Sequence, residues 1–482
     1  MQKIIIMIRK FIDRDEELAF LERKYRESGP QMVVLYGRRR VGKTELIRAF
    51  GEGKPLLYHL ADKRGTAANV ALLARAAAAF FQDVPPAAEG FEDIFRYLVR
   101  RAAGQRLAVA LDEFTYLVEK DPALPSVFQR IVDEVLRGSE VMLVLCGSSM
   151  EMMERGVLSA KSPLYGRRTG DWRVQPLPYR HAVQFFPKLP FAERLRTAMV
   201  FGGIPAHLAL LDDGLPLMEN ARRHVLAKGE PLHGEVEILL KEELRDPSTY
   251  LRVLDALAPG SAKVVDIAHA AGVEAKDLPK YLGVLQRLGY VERRQPVDLV
   301  GRGKRSLYLL ADPFFAFWFA FVLPHRSALE LGDTGPAEEA IRRGLDAFLG
   351  RQFERVAAEA LGLASLSPAR LGNWWGHRRR EGRREEVEID LVGLDEAKRE
   401  ALFVECKWSD LAEAEARRVL ARLREAASLV EWPRQRERYG LVARSVAGAD
   451  RLRGEGFVVM DLKDIEGLFA AKESATEQRR TG

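Results

Sequence analysis

Residues 35–50 read LYGRRRVGKTELIRAF, and Gly37, Gly42, Lys43 and Thr44 stand there at the spacing G-x-x-x-x-G-K-[ST]. That spacing suits phosphate. Glycines let successive backbone N–H groups curl round phosphate oxygens, and the helix that follows adds the positive end of its dipole. The turn Gly37, Arg38, Arg39, Arg40, Val41, Gly42, Lys43 and Thr44, with Glu45 just beyond it, is the expected cradle for ATP. Lys43 is placed to reach the β- and γ-phosphates, and the Thr44 hydroxyl to ligate Mg²⁺. A neighbouring strand must end in a carboxylate, and LAVALDEF supplies it: Asp112 for the metal shell, Glu113 as the general base that polarises the attacking water. Alone, Asp-Glu after a strand equally describes a solvated helix start, but behind a phosphate loop the catalytic reading is the better one. VMLVLCGSS ends in Ser148 and Ser149, where a hydroxyl could sense the γ-phosphate or cap a helix. Arg167 and Arg168, in SPLYGRRTGDW, could reach the γ-phosphate in cis or across a subunit interface, or stay solvated at the surface.

A second set of chemical residues lies far downstream. In ALFVECKWSD, strand alternation puts Phe403, Glu405 and Lys407 on one face and Val404 and Cys406 on the other. In EEVEIDLVGL, Asp390 shares a side with Glu388, while Ile389 and Leu391 turn to the core. Burying an acid beside a lysine costs on the order of several kcal/mol unless something binds there. Asp390 and Glu405 could hold Mg²⁺ or Mn²⁺, with Lys407 orienting or deprotonating the attacking water. Glu354, in RQFERVAAEA on the preceding helix, is placed to add a third acid to that metal site. The short pattern D…E-x-K also arises by accident on solvated edge strands.

These residues need elements to hold them. From 11 to about 170, apolar runs (MVVLY, RLAVALDEF, VMLVLCGSS) alternate with helical segments such as ANVALLARAAAAFFQ, which is the rhythm of a parallel α/β sheet. After PLPYRHAVQFF the strands stop and helices continue to about 235. Residues 246–310 read as three helices and a basic hairpin, a winged helix-turn-helix. If it meets DNA, Lys276 and Lys280 face the groove, and Arg293, Arg294, Arg302, Lys304 and Arg305 meet phosphates; such modules also serve as protein contacts. FFAFWFAFVLP at 314–324 is too short for a membrane span and reads as a core helix. A long helix from 340, three strand-like stretches and the helix DLAEAEARRVLARLREAASLV follow, and KESATEQRRTG is expected to fray.

The bulk numbers allow this and little else. The chain has 482 residues, enough for roughly three domains, and 47% hydrophobic content excludes large-scale disorder. A net charge of +6 permits a nucleic-acid partner without requiring one. Cys146 and Cys406 match no metal spacing and read as buried thiols in a reducing cytoplasm. No stretch approaches the roughly 20 apolar residues of a membrane span, so the expectation is a soluble, cytoplasmic protein.

FIDRDEELAFL, LYGRRRVGKT, LDEFTYL, LCGSSMEMME, SPLYGRR and FGGIPAHLALL resemble, in that order, the motifs of the archaeal-type ATPases, in the signal-transducing (STAND) branch of the AAA+ NTPases. The resemblance spans roughly 11–235. It implies that Arg14 lies near the nucleotide base and that Pro205, in the lid motif GGIP, packs on adenine; from the residues alone, GGIP is a tight turn. GRRR is a usual phosphate-loop form in that family. Arg38, Arg39 and Arg40 could offset nucleotide charge, contact DNA or contact a neighbouring subunit. YLLADPFFAFWFAFVLP, LGRQFERVAAEAL, LGNWWGHRRREGRREEVEIDLVGL and FVECKW resemble the uncharacterised domain that commonly follows this ATPase, which is PD-(D/E)XK nuclease-like. The hairpin between Trp375 and Val387 is longer than that pattern; its Arg378, Arg379, Arg380, Arg383 and Arg384 could grip a nucleic-acid backbone or form a solvated tip.

The expected map is an α/β P-loop ATPase core at 11–172, a helical lid at 173–240, a winged helix at 241–310, a restriction-endonuclease-like α/β domain at 311–470 and a frayed tail at 471–482. The expected activity is ATP hydrolysis with Mg²⁺, coupled to DNA and to a nuclease-like site, in a possible homo-oligomer. The rival expectation is a nucleotide-dependent switch or transcription regulator whose C-terminal domain binds without cutting.

Overall fold

The computed structural model describes residues 11–260, 262–299, 305–366, 368, 370–380 and 383–481, apart from the side chains at positions 151, 155, 380, 383 and 473–481. Arg302 and Lys304 of the expected wing lie outside the described residues. The chain forms two units. The first runs to Leu177 and includes Ile204–Ala206; the second takes Pro178–Gly203 and everything from His207.

The first unit opens with α1 (Asp15–Arg26) and β1 (Gln31–Tyr36), followed by α2 (Lys43–Gly51), β2 (Leu56–Leu60), α3 (Thr66–Phe81), α4 (Phe91–Ala102), β3 (Leu107–Asp112), α5 (Phe114–Lys120), β4 (Val141–Gly147) and β5 (Gly170–Arg173). The five strands form one parallel sheet in the order β2-β3-β4-β1-β5. Strand runs such as MVVL are apolar on both sides because both faces are covered. Met32 and Val34 join a core with residues of α3 and α4, and Val33 and Leu35 join another with residues of α1 and α2. Each such side chain fully withdrawn from water contributes roughly 1.5–3 kcal/mol. The order has a functional consequence. Because β4 lies between β1 and β3, the C-terminal end of β4 sits between the phosphate loop and the Asp-Glu pair, where open α/β sheets hold ligands.

The second unit begins with helices, among them α6 (Phe191–Phe201) and α7 (Glu235–Glu243). Next come α8 (Ser248–Asp255), α9 (Val264–Ala271), α10 (Leu278–Leu288) and the antiparallel pair β6 (Val291–Arg294) and β7 (Leu307–Leu310). These are the three helices and hairpin expected over 246–310. Asp312 then caps α11 (Pro313–Phe317), its carboxylate accepting from the N–H groups of Phe314 at 2.8 Å and Phe315 at 3.2 Å. Phe314, Phe315, Phe317, Trp318 and Phe319 are all buried, so the aromatic run is a core helix as expected.

Beyond it, α12 (Gly335–Leu363) precedes a five-stranded mixed sheet: β8 (Arg370–Arg380), β9 (Arg383–Asp395), β10 (Glu400–Leu411), α13 (Glu413–Ala427), β11 (Arg436–Val446) and β12 (Val458–Met460). Its order is β12-β11-β10-β9-β8, with β10, β11 and β12 parallel and β8, β9 and β10 antiparallel. Phe403 and Ile389 pack with Ala416, Leu420 and Leu423 of α13. Trp408, an odd number of residues from Phe403, meets Phe353 of α12 edge to face at 5.2 Å between ring centres, which puts α12 across the other face. The stretch 471–481, expected to fray, continues α14 (Leu462–Thr481) as helix. Its Lys, Glu, Gln, Ala and Arg residues are good helix formers, and an already formed helix needs no new nucleus to extend.

Candidate functional site

Two glycines shape the phosphate loop. A Cβ at position 37 would lie 2.4 Å from the Val174 carbonyl oxygen, so only glycine lets β1 leave the sheet there. Gly42, at φ 92°, is the residue before α2, in the left-handed region that glycine adopts freely. Lys43 is buried, and its Nζ donates to the carbonyl oxygens of Gly37 and Arg38 at 2.9 Å each. The ammonium thus closes the loop on itself and is available to phosphate oxygens by exchanging those carbonyls.

Thr44 Oγ1 donates to Asp112 Oδ2 at 2.7 Å, and the Glu113 N–H donates to Asp112 Oδ1 at 2.9 Å. With its proton committed to Asp112, the Thr44 oxygen keeps its lone pairs for a cation, so this pair fits Mg²⁺. Asp112 is 2% exposed. Glu113 has φ 52°, the left-handed region, which costs a non-glycine residue on the order of 1 kcal/mol and clusters at functional sites. Its carboxylate oxygens both lie 2.7 Å from Ser148 Oγ, whose single proton goes to that carboxylate. The structure therefore places Ser148 on the candidate base.

The three loop arginines divide. Arg38 is buried, Arg39 donates to the Tyr116 hydroxyl at 3.3 Å, and Arg40 is exposed at φ 66°. Glu45 accepts from Arg48 at 2.7 Å. Arg14 is buried and donates to the Val41 carbonyl at 2.8 Å and to Glu17 at 2.9 Å, bracing the phosphate loop from α1. Pro205 Cγ lies 3.9 Å from where a Cβ would stand at Gly42, so the GGIP proline is beside the loop. Arg167 and Arg168 are not brought in. Arg167 is held by Asp133 at 3.1 Å, and Arg168 by Asp171 at 3.5 Å and by the face of Tyr165.

One residue escaped the sequence reading. The hydroxyl of Tyr58, in the middle of β2, donates to the same Asp112 Oδ2 at 2.8 Å. Burial, reinforced by the Asp112 carboxylate, pushes its phenol far above the usual tyrosine range, so it stays a donor. An aromatic one strand away from Asp-Glu was the available signal.

The C-terminal residues gather where β9 and β10 stop pairing. Their ladder ends at Val404 opposite Leu391. Beyond it the Asp390 carboxylate takes the backbone N–H of Cys406 at 2.7 Å. Ile389 and Val392, three residues apart, both lie in the core under α13, which requires an irregularity between them; the β8–β9 register shifts at this point, between Gly372 and Trp374. The expected alternation of Ile389 with Leu391 is broken by that bulge. Asn373, opposite it, donates to the Asp390 carbonyl at 2.7 Å and to Glu354 at 3.1 Å. Lys407 Nζ donates to Glu405 at 2.6 Å.

Burial, then the Glu405 charge, pushes the Asp390 carboxyl up to about 8. Burial also raises Glu354 and Glu388. Burial pulls the Lys407 ammonium down, but Glu405 and Asp390 outweigh it and leave it raised. Glu354 is shared with Arg294 of β6 at 3.4 Å, and Arg294 also holds Glu292 at 2.6 Å. Among the described residues no group of three His, Cys, Asp or Glu side chains is arranged to hold a metal ion. The chemistry of Asp390 and Glu405 suits a hard cation; a complete ligand set does not stand preformed.

The expected DNA contacts are variously engaged. Arg293 donates to Ser306 at 2.9 Å, Arg305 to the Trp375 carbonyl at 3.4 Å, Lys276 pairs with Glu274 at 2.6 Å and Lys280 lies over Tyr281. In the 370–395 hairpin, Arg378 pairs with Glu385 at 2.6 Å, and Arg379 stands opposite Arg384. Both cysteines are buried thiols, and no helix among the described residues is long and apolar enough to cross a membrane.

The sheet order, the glycine cradle and the Thr44–Asp112 pair define a P-loop nucleotide site. Residues 11–211 match a family model described as an ATPase domain predominantly from Archaea, and 318–419 match one described as archaea bacterial proteins of unknown function. The protein is an ATPase, and its nucleotide is ATP. It is 33% identical over 461 residues to the uncharacterized protein MJECL04 of Methanocaldococcus jannaschii, covering 94% of this chain and 100% of that one. The chain belongs to the family of that protein, archaeal-type ATPases with the further C-terminal domain. Over 46 residues, 10% of this chain and 78% of the other, it is 56% identical to the uncharacterized ATP-binding protein MJ0423 of the same organism. Among solved structures, the Walker-type ATPase PABY2304 of Pyrococcus abyssi shares the fold, with TM-score 0.50 and 22% identity over 64% of this chain and 96% of that one.

Proposed function

We propose that this ATPase uses its nucleotide state to control a metal-dependent C-terminal site that acts on DNA. In the first unit, Lys43 and the loop N–H groups bind the β- and γ-phosphates. Glu113, released from Ser148, takes the proton of the water that attacks the γ-phosphorus as the bond to the bridging oxygen breaks. Thr44, and Asp112 behind it, would hold Mg²⁺, which when bound draws charge from the phosphate oxygens. Arg167 and Arg168, which already serve Asp133 and Asp171, would act only across an interface between copies of the chain.

In the second unit, 246–310 is read as a winged helix that holds DNA phosphates through Arg293 and the exposed basic residues around it. The sheet from β8 to β12 is read as nuclease-like. One observation carries this: a half-buried aspartate, held at a strand break by the Cys406 N–H, beside a glutamate and lysine paired at 2.6 Å. Nothing in packing needs these three charges together. Asp390 and Glu405 would hold Mg²⁺ or Mn²⁺, and Lys407 would hold or take the proton of the water that attacks a phosphodiester.

The rival reading, a nucleotide-driven switch whose C-terminal domain binds without cutting, has its own support in the incomplete ligand set. Incubation of the full chain with ATP and double- or single-stranded DNA separates them. Cleavage in Mg²⁺ or Mn²⁺, none in Ca²⁺, and loss of cleavage in Lys407→Ala are expected. DNA retention with no cleavage in any metal, with and without ATP, would replace this reading by the switch.

A further inference from the structure

Asp112 is unusually fully engaged for a carboxylate expected at a metal. It has four lone-pair sites, and three are taken by donors: the Thr44 and Tyr58 hydroxyls on Oδ2, at 2.7 and 2.8 Å, and the Glu113 N–H on Oδ1, at 2.9 Å. The direction of each proton matters. A threonine hydroxyl has one proton, so while it points at Asp112 the oxygen lone pairs point elsewhere. Were Asp112 to turn away, the Thr44 proton could rotate into the space where the cation must bind.

Two of the three donors cannot prevent that turn. Thr44 is the group being positioned, and the Glu113 N–H holds only Oδ1, about which the carboxylate can swing. Of the groups that remain, the buried Cys146 thiol also lies against the carboxylate but is a weak donor; the strong one is Tyr58, 54 residues away in sequence on the adjoining strand. β2 pairs with β3 in parallel, with Tyr58 opposite Ala110, which aims the phenol along the strand toward Asp112. Asp112 is 2% exposed, so water has little access to replace a lost donor.

We propose that Tyr58 is a positioning residue of the ATPase site: it locks Asp112 as the acceptor for Thr44, so that Thr44 presents its lone pairs to the nucleotide-bound cation. Asp112 then acts on the cation through Thr44 and at most one water. Tyr58 touches neither nucleotide nor metal. Its removal leaves the phosphate cradle of Lys43 and the loop N–H groups as it was.

The test is Tyr58→Phe, which removes one oxygen and keeps the ring. Nucleotide affinity in EDTA, read with a fluorescent ADP, is expected to stay within twofold of wild type. Mn²⁺ affinity of the protein–ADP complex, read by electron paramagnetic resonance, is expected to fall about tenfold, the usual loss when a group supporting a metal ligand is removed. The half-saturating Mg²⁺ concentration for ATP hydrolysis is expected to rise with it. Because Tyr58 acts through Asp112, the double variant Tyr58→Phe/Asp112→Asn is expected to bind Mn²⁺ no more weakly than Asp112→Asn alone. Unchanged Mn²⁺ affinity in Tyr58→Phe overturns the proposal. So does an additive loss in the double variant, or an equal loss of nucleotide affinity in EDTA, which would mark a general structural role.

Discussion

Asp390→Asn should stabilise the metal-free second unit, and should do so only where the wild-type carboxyl is forced to ionise. The side chain is isosteric, and its amide oxygen can still accept from the Cys406 N–H, so little but the charge changes. Well below pH 4 the Asp390 carboxyl is protonated in both folded and unfolded chains and has no effect on stability. As pH rises from there the unfolded chain ionises first, at the ordinary value of 3.8, while the folded carboxyl holds its proton to about 8. The folded state then binds more protons than the unfolded one, so wild-type stability falls with pH across that window and levels off above it. A tenfold change in an ionisation constant is about 1.4 kcal/mol, which sets a ceiling of roughly 6 kcal/mol on the penalty. Hydration of an opened site reduces it, and a gain on the order of 2 kcal/mol is expected for the variant near pH 8. Five of the six tryptophans, Trp318, Trp374, Trp375, Trp408 and Trp432, lie in the second unit, so thermal unfolding followed by tryptophan fluorescence reports on it. In EDTA the variant and wild type should melt together near pH 4 and separate by roughly 5 °C near pH 8. A melting difference that is the same at both pH values would refute the reasoning, because the effect would not come from ionisation.

Lys43→Ala should abolish ATP binding, since it removes the ammonium that closes on the Gly37 and Arg38 carbonyls and balances the β- and γ-phosphate charge; calorimetric titration with ATP checks it. Glu113→Gln should bind ATP at wild-type affinity and lose at least a hundredfold in turnover, as removal of a general base does; a phosphate-release assay at wild-type rate would exclude Glu113 as the base. DNA retention should weaken steeply with salt, and Arg293→Glu should lower it without altering ATP affinity. Arg293 is the informative choice because reversing Arg294 would also break its pairs with Glu292 and Glu354.

The ATPase core was legible because its chemistry is local. Glycine, lysine and threonine at fixed spacing dictate a turn, and buried parallel strands are apolar on both faces whatever else surrounds them. Tyr58 was not legible, since its partner is 54 residues distant and an aromatic on a strand reads as core. Ser148 was placed at the correct strand end, yet its bond to Glu113 depends on a left-handed residue that no spacing announces. In the C-terminal domain the charged strands stood out against an apolar core. The bulge that breaks the Ile389–Leu391 alternation did not, because a bulge is set by the partner strand. RERYGLVARSV, which forms β11, begins with three charges among its first four residues and so hides an interior strand with a buried middle. Arg294 was expected on phosphate and lies on Glu354, a contact fixed by tertiary packing alone.

The most direct test of the account is a crystal of the full chain with ADP soaked in Mn²⁺ and measured at the manganese absorption edge. The account predicts two anomalous peaks, one at Thr44 and one bridging Asp390 and Glu405 at about 2.2 Å from a carboxylate oxygen of each. A peak at Thr44 with none between Asp390 and Glu405 would show that Mn²⁺ had entered the crystal and that the C-terminal site does not hold it, which contradicts the claim that this domain is metal-dependent.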